Sequence, residues 1–179
     1  MTGETLSCLR RQFDTAWKLA EYHLDGLTNE ECLWRPAEAG LHVHQDPDGA
    51  WIPDWPTHEG YDLGPPSIAW TMWHMCFWWR MAIDHSIGDA ALTCEDIRWP
   101  GSAEAARAEI AALKGEWCAR VLTLDEGDLA STARTRWPFR DRPFSDVLAW
   151  VNVELTKNAA EIGYARFLYA VRPGAPQRA

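Results

Sequence analysis

Between Ser67 and Arg80 the chain reads SIAWTMWHMCFWWR, apolar nearly all round the helix it would form. A helix that is hydrophobic on every side must be buried on every side, so it needs several neighbours packed against it. It is too short to cross a membrane, and no run of roughly 18 apolar residues occurs anywhere in the chain. The stretch therefore predicts the central helix of a soluble bundle. One polar side chain interrupts it: His74, set among Trp70, Met72, Trp73, Phe77 and Trp78.

A second long segment, WVNVELTKNAAEIGYARFLYA from Trp150 to Ala170, carries polar groups inside an apolar face. Glu154, Asn158 and Glu161 stand at i, i+4 and i+7, so helical geometry turns all three the same way. Their neighbours on that side, Val147, Trp150 and Ala165, read as core. Burying two carboxylates and an amide in one column is costly unless each finds a partner. Paired with His74, the column predicts a polar pocket between two helices, with Trp70 and Trp73 in its wall as candidate ligand contacts.

The remaining organisation follows from periodicity and punctuation. Leu6, Leu9, Phe13, Trp17, Ala20 and Leu24 recur at three-to-four spacing and predict a first helix over 4–25, ended by Gly26. Thr28-Asn-Glu-Glu31 has the capping-box pattern and predicts a short helical turn carrying Leu33 and Trp34. The Pro-, Gly- and Asp-rich stretch up to Pro66 is a long connection, held down by its tryptophans and lying over a site, with a short hairpin around Asp48-Gly49 between Val43 and Trp51. A second helix over 67–87 follows, with Ser67 as its cap and Gly88 beyond its end. A third spans 102–123, with Glu104, Arg107, Glu109 and Lys114 on its outer face. After a second long connection, 124–142, the fourth runs over 143–170, opened by Pro143. The expected architecture is all-α: an antiparallel four-helix bundle in one domain, 1–172, with long loops between helices 1 and 2 and helices 3 and 4, and a tail over 173–179.

Composition narrows the functions open to such a chain. Seventeen basic against twenty-six acidic residues leave a net charge of −9, which argues against a nucleic-acid partner. The start, MTGETLSCLRRQF, has no apolar signal core, so the expected location is the cytoplasm and no membrane partner is expected. Five cysteines (Cys8, Cys32, Cys76, Cys94, Cys118) are scattered without a C-x-x-C pair and read as free thiols. His42-x-His44 would face one side of an extended strand and could clamp a metal, though exposed loop histidines are the commoner case. Glu30-Glu31 and Arg10-Arg11 read as solvated faces.

SIAWTMWHM, VNVELTKNAAEIGYARFLY and the early LTNEECLWRP together resemble the DinB-like superfamily of helical-bundle proteins, which includes thiol-dependent transferases and isomerases. The resemblance extends from the first helix to the fourth. It implies a divalent metal held by a helix-2 histidine, matched by His74, and by two helix-4 positions four apart, matched by Glu154 and Asn158, with Glu161 a polar residue following them. It also implies zinc, nickel or iron and a low-molecular-weight thiol as cofactors. The family pattern is a glutamate, two residues and a His-His pair; here Lys157-Asn158 stand in place of the pair, so one imidazole ligand is missing. An amide oxygen is a far weaker ligand than imidazole. Lys157, about 100° round the helix from Asn158, points to the site, to a neighbouring helix or to solvent. The expected function is thus a DinB-like bundle whose polar pocket holds a small molecule, with metal binding weak or lost. Two alternatives stand beside it: an active metal-dependent thiol transferase, isomerase or hydrolase-type enzyme, and a structural or dimerisation module, for which a homodimer is the expected partner arrangement.

Overall fold

The computed structural model describes residues 3–58, 60–121 and 123–175, and four long helices dominate them. These are α1 (Glu4–Leu24), α3 (Ile68–Ile87), α4 (Ala103–Val121) and α6 (Phe144–Ala170). Each begins and ends within two residues of the range expected from sequence. Among the described residues, two short helices, α2 (Asn29–Leu33) and α5 (Glu126–Ala130), two 3-10 turns (Tyr61–Leu63 and Cys94–Asp96) and one hairpin, β1 (Val43–Gln45) with β2 (Trp51–Pro53), complete a mostly helical fold. Of the tail expected from 173, only residues up to Ala175 are among those described.

Local chemistry explains the boundaries. The Ser67 hydroxyl accepts the N–H of Trp70 and starts α3, and the Gly88 N–H closes its last turn on the carbonyls of Ile83 and Asp84. Ser102 accepts the Ala105 N–H at the start of α4, while the Asn29 side chain reaches across to take the N–H of Ala103. The chain leaves α1 through Gly26 at φ +66°, a left-handed conformation that favours glycine. Thr28 caps α2 by accepting the Glu31 N–H at 3.1 Å. The reciprocal half of the expected capping box is not made: the Glu31 carboxylate turns instead to Arg166 on α6, 2.9 Å away. Glu31 is buried, which corrects its reading as a solvated surface charge.

Packing follows the hydrophobic pattern. α3 lies against α4, α6 and α2, and α1 lies along α6. Apart from Arg80, nearly every α3 side chain is buried or half-buried, Met72, Trp73, Met75, Cys76 and Trp79 completely. Full burial of one side chain of this size stabilises a fold by about 1.5–3 kcal/mol, so α3 is the element the core is built on. An aromatic chain runs through it: Trp78 stacks on Trp79 at 5.0 Å, and Phe13 and Trp17 of α1 meet Trp79 edge-on.

The hairpin is antiparallel, with His44 opposite Ile52, and its turn is built by Asp46, whose carboxylate accepts the N–H groups of Asp48 and Ala50. Asp54 pins the connection to the helices. Its carbonyl accepts the indole N–H of Trp70 at 2.8 Å, and its carboxylate accepts the His42 N–H at 2.8 Å. The loop is thus pinned to α3 through Asp54, while its own Trp55 stays largely exposed. The second connection contains the unforeseen α5, capped by a reciprocal pair between Asp125 and Asp128. Among the described residues no helix is long and apolar enough to cross a membrane.

Candidate functional site

His74 lies one turn beyond Trp70 on α3, and the two rings stack at 5.1 Å with planes 8° apart. Trp70 is held in that pose by its bond to Asp54, and Trp73 by donating its indole N–H to the Ile97 carbonyl at 2.9 Å. Trp73 has no exposed surface, so it forms wall rather than an open stacking face, while Trp55 of the loop, largely exposed, leans edge-on against it at 5.9 Å. Facing His74 from α6 is Asn158, completely buried.

Asn158 is the centre of the arrangement. Its Oδ1 accepts the indole N–H of Trp78 at 2.8 Å, its Nδ2 donates to Glu161 Oε2 at 2.8 Å, and His74 Nδ1 lies 3.3 Å from Oδ1. An indole nitrogen can only donate and an ionised carboxylate can only accept, so the amide has one possible orientation. That orientation in turn fixes the histidine. Nδ1 faces an acceptor and carries the proton, which leaves the lone pair on Nε2. Nε2 has no hydrogen-bond partner among the described residues and is not sealed from solvent.

Glu154 does not face the histidine alone. Lys157 folds back along α6 and places its ammonium 2.9 Å from Glu154 Oε2. Burial is the main influence on His74 and the Lys157 charge the next; against the Glu154 charge and the bond to Asn158, they lower its pKa to about 4. The ring is therefore neutral at pH 7.

The structure thus joins His74, Asn158 and Glu161 in one hydrogen-bonded chain and brings Glu154 into the same electrostatic neighbourhood. As a metal centre the set fits poorly. Both accepting directions of Asn158 Oδ1 are taken, Glu161 is engaged by the amide, and Glu154 already has a cation beside it. Among the described residues no group of three or more His, Cys, Asp or Glu side chains is placed to hold a metal ion. The His42-x-His44 pair does not form a clamp: His42 is buried with neither ring nitrogen bonded, while His44 is outside, 3.3 Å from Asp54. Sequence reasoning missed Trp78, which reads as plain core, although a buried indole needs an acceptor and that requirement pointed to a polar partner.

The described residues form a mostly helical fold, and the chain is a member of the DinB superfamily, whose profile matches residues 12–162. The match spans His74, Glu154, Asn158 and Glu161. No curated protein and no solved structure matches the chain.

Proposed function

We propose that this DinB-superfamily chain is an antiparallel four-helix bundle whose inter-helix site binds a small molecule, with metal binding weak or lost. Asn158 is the observation that carries the reading. At the position where the resemblance implies a ligand stands a buried amide whose oxygen is committed to Trp78 and His74. An amide in that pose holds the imidazole in one tautomer, the task that carbonyl and carboxylate groups perform behind metal-bound histidines. Here the consequence is an orienting residue without a full ligand set. What the site offers a ligand is a neutral imidazole with its Nε2 lone pair outward, the edge of Trp70, and a Glu154–Lys157 ion pair beside it. Such a surface accepts a hydrogen bond from a ligand O–H, N–H or S–H and complements a polar group of either sign.

Titration calorimetry with zinc, and then ring-nitrogen NMR of His74 with glutathione as a representative thiol, tests the reading. The expected results are zinc affinity no tighter than millimolar to high micromolar, since one imidazole and loosely placed oxygens make a weak site, and a saturable shift of His74 Nε2 by the thiol. Stoichiometric zinc binding at micromolar protein that is lost in His74→Ala would overturn the proposal in favour of a metal-dependent enzyme. No response of His74 to either probe would remove the small-molecule reading.

A further inference from the structure

Away from His74, a cavity of about 260 Å³ opens between α1, α4 and α6. Phe13, Trp117, Val121 and Leu148 give it an apolar wall, and Asn152 of α6 is set into that wall. The Asn152 Nδ2 donates to the Leu9 carbonyl and to Gln12 Oε1, each at 2.9 Å. A backbone carbonyl can only accept, so the amide has one orientation, with its nitrogen towards α1. Its Oδ1 accepts no hydrogen bond among the described residues, yet it is not sealed from solvent. Asn152 is only 3% exposed and lines the cavity, so the surface left to that oxygen opens there. Buried carbonyl oxygens are seldom left without a donor.

The charged groups around the cavity cancel. Arg10 corrects its own reading from sequence: it is half-buried rather than a solvated surface charge. Its Nη2 bonds the Val121 carbonyl at 3.3 Å, and its Nε is sealed from solvent, so a ligand does not reach Nε. Asp14, one turn on along α1, lines the same cavity and is exposed. At that spacing its carboxylate offsets the guanidinium charge. Cys118, also in the wall, has its thiol pKa raised by burial and brings no negative charge. The chamber therefore selects neither sign, and the polar group it offers is one open acceptor.

We propose that this cavity binds a small neutral aromatic molecule with one O–H or N–H donor, such as a phenol, which donates to Asn152 Oδ1. Size and polarity both select this class. A dry apolar cavity of about 150 Å³ already takes up benzene, so this one has room for a single substituted ring. A hydrocarbon would fill the wall but exclude water from Oδ1 and leave it unpaired. A carboxylate would meet Asp14 without reaching the Arg10 Nε, and an ammonium would meet the Arg10 charge.

The test uses the full chain, labelled with ¹³C and ¹⁵N and titrated with phenol and with anisole, its ether without the donor. The signals followed are the Asn152 side-chain carbonyl and the Trp117 indole N–H. Both should shift saturably with phenol, and the Trp117 signal alone with anisole. Phenol should bind about fivefold tighter than anisole, and Asn152→Leu should abolish that preference with anisole binding retained. Benzoate and benzylamine should both bind more weakly than phenol. Cys118→Phe, at a half-buried wall position, should weaken phenol and anisole alike by filling the chamber. Equal affinity for phenol and anisole overturns the proposal. So does an unmoved Asn152 carbonyl, a phenol preference that survives in Asn152→Leu, or tighter binding of either charged probe. If Asn152→Leu does not fold, the phenol-to-anisole ratio and the Asn152 signal of the unaltered chain still decide the matter.

Discussion

Replacing Asn158 with alanine is the sharpest test of the site as a hydrogen-bonded unit. The change removes the acceptor of the Trp78 N–H, the donor to Glu161 and the partner of His74 Nδ1. These losses are unequal. Trp78 is 1% exposed, so water cannot take the place of the amide oxygen, and stranding its N–H costs about 1–3 kcal/mol. Glu161 and His74 are only half-buried, and solvent makes good much of what they lose. The small void left under a wholly buried side chain adds about 1 kcal/mol. The expected total is about 3 kcal/mol, a fall in Tm of roughly 6–12 °C for a chain of this size. Urea and thermal unfolding followed by circular dichroism measure it. A double-mutant cycle isolates the cause: Trp78→Phe removes the donor, so Asn158→Ala in that background should cost about 1 kcal/mol less than it does alone. A loss below about 1 kcal/mol for Asn158→Ala, additive with Trp78→Phe, would refute the claim that this amide organises the site.

Three further outcomes follow. His74 has its pKa lowered in the fold from 6.5 to about 4, so the unfolded chain binds its proton more readily. Its contribution to stability is accordingly complete above about pH 6.5 and declines as the pH falls towards 4. Because the Lys157 charge contributes to that lowering, Lys157→Met should raise the His74 pKa seen by NMR titration, though not to 6.5, since burial remains; an unchanged midpoint would mean that Lys157 does not act on the ring. At the other end of α6, Arg166 donates to Glu31 and to the carbonyls of His23 and Asp25. Arg166→Ala strands a buried carboxylate and should cost about 2 kcal/mol in urea unfolding, most of it recovered by adding Glu31→Gln; a cost under about 0.5 kcal/mol would show that solvent replaces the arginine.

The long helices were legible because their signals are repeated. Each has several turns of apolar residues, periodic in α1 and all round the helix in α3, and Gly26, Ser67, Gly88 and Pro143 punctuate them. The hairpin was legible from Asp48-Gly49 between apolar flanks. α5 was not, because five residues are too few to display a period, although its Asp125 and Asp128 caps are plain once seen. Misreadings arose where a side chain has two competing partners. Glu31 satisfies the local capping pattern on paper, yet its partner is Arg166, 135 residues away. Arg10 looks like half of a surface pair, and only the approach of α4 encloses it. Spacing along one helix is silent about such choices, because the competing group arrives from another element.

The site shows the same division at finer scale. That His74 meets the Glu154, Asn158 and Glu161 column could be read from the period of the column and from a lone polar residue in a helix apolar on every side, since both must be buried. What the column does could not. The deciding atom is the Trp78 indole nitrogen, on a residue whose evident role is apolar packing. Because that nitrogen can only donate, it fixes which end of the Asn158 amide faces α3; the amide fixes which nitrogen of His74 holds the proton; and the proton fixes which nitrogen is left for a ligand. A histidine at position 158 would accept from Trp78 only by surrendering one ring nitrogen to it. Placing at 158 the imidazole that the resemblance implies therefore requires removing the Trp78 donor as well, and Asn158→His combined with Trp78→Phe is the variant in which tighter zinc binding than the unaltered chain is expected.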